Sequence, residues 1–173
     1  MNEIQNILEP KEKLVYDCKP EYAPYIIGAI LVSLFVGAIL GTVIGVFQES
    51  FVLGIVIGTI IFIVLVVLSN IAYTRIHYAI TNKRVIIQRG IIGRDFRSID
   101  YDRMQNVSVD VGVLGVIFKV GSIRIFTGEI ETVGSNKYPK VQSKYDRFDY
   151  ITSPYDVLKK LQAHLSKRKE KLA

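Results

Sequence analysis

One cysteine and two histidines are the only thiol and imidazole groups that this chain of 173 residues offers to disulfide or metal chemistry. A lone Cys18 cannot close an internal disulfide, which agrees with a reducing compartment. It is read as an unmodified thiol, with juxtamembrane acylation as the alternative. His77 and His164 lie far apart, and no Cys, His, Asp and Glu set has metal-ligand spacing. No metal and no cofactor are expected.

Charge is the more telling absence. Neither Tyr25–Phe47 nor Phe51–Tyr73 contains an Asp, Glu, Lys, Arg or His, and only Gln48, Glu49 and Ser50 separate them. A hydrocarbon core about 30 Å thick takes roughly 20 helical residues, so each run can cross a bilayer with some tilt. Two such helices buried in a soluble protein would need more surrounding chain than is present. A cleaved signal peptide is not expected, because residues 1–24 are largely polar and the first run exceeds the roughly 7–15 apolar residues of such a segment. Without an ionisable group inside either run, the pair reads as an anchor rather than a conduit.

Basic residues predict the orientation. The linker has none, whereas Lys11, Lys13 and Lys19 precede the first run and Arg75, Lys83, Arg84 and Arg89 follow the second. Lys and Arg are retained on the cytoplasmic side, so both termini are expected inside a cell membrane and Glu49 outside. The predicted division is a cytoplasmic arm over 1–24, a hairpin of spans 25–47 and 51–73, and a cytoplasmic domain over 74–173. That last part holds 19 Lys and Arg against 10 Asp and Glu, within a net charge of +6. An anionic bilayer surface attracts such a domain by around 1 kcal/mol per well-placed basic residue. No nucleic-acid-binding signature accompanies the charge, so nucleic acid is not an expected partner.

Small residues recur at every fourth position of the first run, at Ala29, Ser33, Gly37, Gly41 and Gly45. Gly54 and Gly58 follow in the second. In an antiparallel hairpin centred on Glu49, Gly45 falls level with Gly54, Gly41 with Gly58 and Gly37 with Phe62. These glycines are the candidate helix-packing residues, within one chain or between copies.

Past Tyr73 the pattern becomes one of short strands with turn punctuation, read as an antiparallel meander. Tyr78–Thr81 and Val85–Gln88 flank the turn Asn82-Lys83, a second turn lies at Gly90–Gly93, and Val107–Val111 and Ser122–Thr127 follow, the last after a Gly-rich connection at Gly112, Gly115 and Gly121. Glu129–Asp149 is polar and reads as a long loop or an extended hairpin. Ser153-Pro154 predicts a helix start, with Val157, Leu158, Leu161 and Leu165 on one apolar face.

Residues Tyr78–Ile87, Arg89–Ile92, Ile99–Val107 and Gly121–Ile125, with Leu8–Tyr16 and the two spans, closely resemble bacterial and archaeal membrane-associated PH-like domains of the YdbS type. The resemblance implies two near-orthogonal antiparallel sheets capped by a C-terminal helix. It implies no reaction.

Catalytic residues are not expected either. Asp100, Asp102 and Asp110 read as solvated acids beside Arg97 and Arg103, and Gly112–Val116 lacks the Lys-Ser/Thr of a phosphate loop. The candidate surface is the second turn. Ile91 and Ile92, flanked by Arg89, Arg94 and Arg97, either fold into the core or form an apolar wedge with basic anchors for anionic lipid headgroups. The basic tail Lys167–Lys171 reads as a solvated helix end. The expected function is a non-catalytic, membrane-anchored binding or scaffold module with a protein partner or a second copy. The alternative is an accessory subunit of a membrane transport or envelope-stress assembly, docked through the glycine groove.

Overall fold

The computed structural model describes residues 3–91, 95–133 and 140–172. It divides into two compact units, one made of the helical pair Tyr22–Arg75 with the short segment that begins at Gly90, the other a domain assembled from residues on both sides of the pair.

In the helical unit, α1 (Tyr22–Phe47) and α2 (Phe51–Arg75) are each long and apolar enough to cross a membrane. Glu49, at φ 50°, ends α1, while the Ser50 and Glu49 N–H groups return to the carbonyls of Gly45 and Val46. That is the double bond pattern of a helix closed through a left-handed residue. Ser50 then caps α2 through its hydroxyl, which accepts the Leu53 N–H at 3.4 Å. Three residues therefore reverse the chain. Tyr73 packs against Tyr22 and Tyr25 at the other end, with ring centroids 5.0 and 5.3 Å apart.

In the other unit, β1 (Leu14–Cys18), β2 (His77–Thr81), β3 (Arg84–Arg89) and β4 (Asp95–Asp100) form one antiparallel sheet in that order. A second is built from β5 (Asn106–Asp110), β6 (Val120–Val133) and β7 (Lys140–Thr152). The short helix α3 (Val113–Phe118) lies between β5 and β6, and α4 (Pro154–Leu172) follows β7. These two sheets and the C-terminal helix are what the resemblance implies. The stretch 129–149 is an extended hairpin, with Thr132 opposite Val141; its tip, 134–139, lies outside the described residues.

Tyr78, Ile80, Val85, Ile87 and Ile99 of the first sheet meet Ile123, Ile125, Phe148 and Ile151 of the second, and Val157 and Leu161 of α4 complete the core. The arm before the spans belongs to this domain. Ile4 is buried with Ala79 and Ile86, and Ile7, Leu8 and Leu14 pack beside them on the opposite face of the first sheet. This explains why Val85-Ile86-Ile87 is continuously apolar: the strand is covered on both faces.

Candidate functional site

The carboxylate of Glu12 is fully covered, and Arg84 holds it in a two-pronged ion pair. Arg84 donates to its two oxygens at 3.0 Å each, the Thr81 hydroxyl donates at 2.7 Å and the Glu9 N–H at 2.8 Å. Burial alone would raise this carboxyl, but the Arg84 hydrogen bonds, those of Glu9 and Thr81, and the Arg84 charge hold it below its ordinary value. Arg84 also donates to the Ile7 carbonyl at 3.0 Å, so it fastens the arm to the sheet. The pair therefore serves to hold the arm against the sheet.

Two of the candidate lipid-contact arginines join the sheets. Arg89, at the end of β3, donates to the Arg147 carbonyl and to Asp149 (3.2 Å) on β7. Its guanidinium stands 5.9 Å from the centroid of Tyr78, which stacks on Phe148 at 4.6 Å. The Tyr78 hydroxyl accepts the Asp149 N–H, and burial pushes this phenol up to about 12. Arg97 on β4 reaches Asp146 of β7 and Glu129 of β6, each at 2.7 Å. Burial raises the Asp146 carboxyl, against the lowering effect of Arg97. Ile91 is 47% exposed beyond Arg89, and Ile92 and Arg94 lie outside the described residues. Of the three acids weighed above, Asp110 bonds Arg124 at 2.6 Å and Asp100 lies opposite Arg84.

The candidate helix-packing residues are brought together within the hairpin. A Cβ added at Gly41 would stand 2.6 Å from the Gly54 carbonyl oxygen, one at Gly37 2.8 Å from that of Gly58, and one at Gly45 3.3 Å from the Gly54 Cα. Phe62 lies against Gly37. Backbones this close leave no room for side chains.

Where the spans join the domain, several elements converge. Cys18, on the last residue of β1, is paired with Tyr78 of β2, and burial raises its thiol to about 12. Glu21, the residue before α1, donates its N–H to the Tyr150 carbonyl at 2.8 Å and accepts the Thr152 hydroxyl at 2.7 Å. Thr152 is paired with Val120. Register also brings the end of β3 here, since Gln88 lies opposite His77.

The helix α3 was not legible as one, because Gly112 and Gly115 suggest a loop. Gly115 is the residue that seats it: a Cβ there would lie 2.5 Å from the Val120 carbonyl oxygen. Lys119, left-handed at φ 55°, closes the helix. Val113, Val116 and Ile117 are left 80%, 70% and 65% exposed. Their spacing of three and four was the available signal. Among the described residues no three His, Cys, Asp or Glu side chains are grouped to hold a metal ion.

A family model described as "Bacterial PH domain" matches residues 23–169. Among solved structures, the chain is similar to a DUF1696 family protein with a pleckstrin-homology domain from Shewanella loihica PV-4. Identity is 18% and the TM-score 0.35, over 54% of this chain and 73% of that one. No curated protein matches the chain.

Proposed function

The chain belongs to the bacterial PH domain family, and from that premise we propose that it is a non-catalytic binding module anchored in the cell membrane by α1 and α2, with the domain and both termini on the cytoplasmic side. The observation that carries this reading is the pairing of β1 with β2. The chain leaves the sheet after Cys18, passes through both helices and returns at His77 on the adjacent strand. Both ends of the helical pair are thereby held by one sheet, which supports an even number of crossings. Outward-facing side chains such as Phe35 (68% exposed) suit lipid better than water. The basic flanks and the uncharged linker support the cytoplasmic orientation.

In this reading Arg89, Ile91, Ile92, Arg94 and Arg97 are the proposed contact with anionic headgroups, and the rest of the domain surface is left for a protein partner or a second copy. The accessory-subunit alternative would use the groove of about 470 Å³ beside the close glycine contact, lined by Leu34, Ala38, Thr42, Ile55 and Thr59. Replacing α1 and α2 with an unrelated helical hairpin separates the two. A partner recovered by affinity purification with the replaced hairpin supports the module, and one lost supports the accessory role.

Orientation is tested by cysteine labelling in intact cells. Native Cys18 is a poor reporter, because its buried thiol resists ionisation on either side of a membrane. In a Cys18→Ser background, an impermeant thiol reagent should label Ser50→Cys, and should label Lys159→Cys only after the membrane is opened. The reverse pattern overturns the orientation.

A further inference from the structure

We propose that α3 is a lipid-interface wedge, whose Val113, Val116 and Ile117 enter the headgroup and upper acyl region of the bilayer that α1 and α2 cross. The inference rests on the membrane reading above and adds to it a second, separate contact with lipid.

The place of α3 in the domain identifies the occupant. Gly115 seats α3 on the Val120 carbonyl, Val120 is paired with Thr152, and Thr152 bonds Glu21. Glu21 is covalently followed by the first residue of α1. α3 is thus seated beside the strand pair that holds the residue preceding α1. Pro154, which precedes the exposed Tyr155, packs against Gly121, the residue after Val120.

Residues 111–128 include no Asp or Glu, and Lys119, which closes α3, is the basic residue next to the patch, Arg124 being paired with Asp110 at 2.6 Å. A protein partner fits less well. Three aliphatic side chains present roughly 200–350 Å² of apolar surface, well short of the about 800 Å² per partner of a stable interface. A tethered domain needs far less, because the anchor already holds it at the surface.

The chain has no tryptophan, so a single introduced indole reports its own surroundings. The protein is reconstituted in phosphatidylglycerol–phosphatidylcholine vesicles without bromine, with bromine on the upper acyl chain, or with bromine near the acyl end, the upper label being read at position 116 and the deep label at position 35. Val116→Trp is compared with Phe35→Trp in α1 and with Val141→Trp, an exposed site about 40 Å away along β6. Ile117→Trp repeats the measurement should Val116→Trp fold poorly. The expected result is emission roughly halved by brominated lipid for Val116→Trp and Phe35→Trp, and unchanged for Val141→Trp. Quenching of Phe35→Trp without that of Val116→Trp overturns the wedge and leaves the anchor standing. Absence of quenching at Phe35→Trp overturns the anchor and the wedge together. A blue-shifted but unquenched Val116→Trp signal means that protein covers α3, and equal quenching of Val141→Trp means unspecific adsorption. Either result also overturns the proposal.

Discussion

At the scale of single residues, the Glu12–Arg84 pair shows how a polar contact can decide the fate of an entire segment. Removing Arg84 leaves a buried carboxylate without its counter-charge, held by the Thr81 hydroxyl and the Glu9 N–H alone, which costs at most about 3–5 kcal/mol. Arg84→Ala should therefore lower the thermal midpoint sharply and expose the arm to protease. The carboxyl sits below its ordinary value of 4.5, so its contribution is complete above that pH and is lost as pH falls through the depressed value. Glu12→Gln should flatten the decline of stability below pH 4.5, while lowering stability at neutral pH. An acid limb identical in the two proteins, followed by chemical denaturation, would assign that limb to other carboxylates.

Between elements, backbone proximity and strand pairing do the work. Gly41→Leu would place a branched side chain where a Cβ alone already meets the Gly54 carbonyl at 2.6 Å. Overpacking of this kind costs typically 1–3 kcal/mol, to be read from unfolding of the purified protein in detergent. Wild-type stability in that variant would show that the helices separate without loss. Strand β1 makes the second case. Residues 76–173 alone lack one edge of the first sheet and the Ile4 cover over Ala79 and Ile86. They should fail to give a cooperative thermal transition, whereas residues 3–21 joined to 76–173 by a short linker should give one. Equal transitions for the two would make the arm dispensable.

For the whole molecule, the question is which charges remain for lipid. Arg89 and Arg97 both bond carboxylates of the second sheet, so a neutral substitution removes a tie between sheets as well as a positive charge. The linked domain should bind anionic vesicles weakly, and less as salt rises, because exposed charges are screened beyond about 8 Å at physiological ionic strength. Arg89→Gln with Arg97→Gln should lower both binding and stability. Ile91→Ser should lower binding in high salt and leave stability within about 0.5 kcal/mol. Sedimentation with vesicles checks the first effect and thermal unfolding the second; equal binding to neutral vesicles would remove the electrostatic account.

The amino-acid sequence by itself determined the two long apolar helices, the tight reversal at Glu49, the glycine spacing and the strand-rich domain with its closing helix. Each of these follows from a local property: missing charge, a repeat of four residues, alternation, or a proline at a helix start. Tertiary structure alone decided the rest. That Leu14–Cys18 pairs with a strand beyond both helices, that Glu12 finds Arg84, and that Arg89 and Arg97 are drawn into ties between sheets all depend on contacts between distant parts of the chain. The continuous apolarity of Val85–Ile87 hinted at a cover on the second face but could not say that Ile4 supplies it. The same limit applies to α3, whose glycines read as a loop until the Val120 carbonyl is seen to occupy the space that any larger residue at position 115 would need.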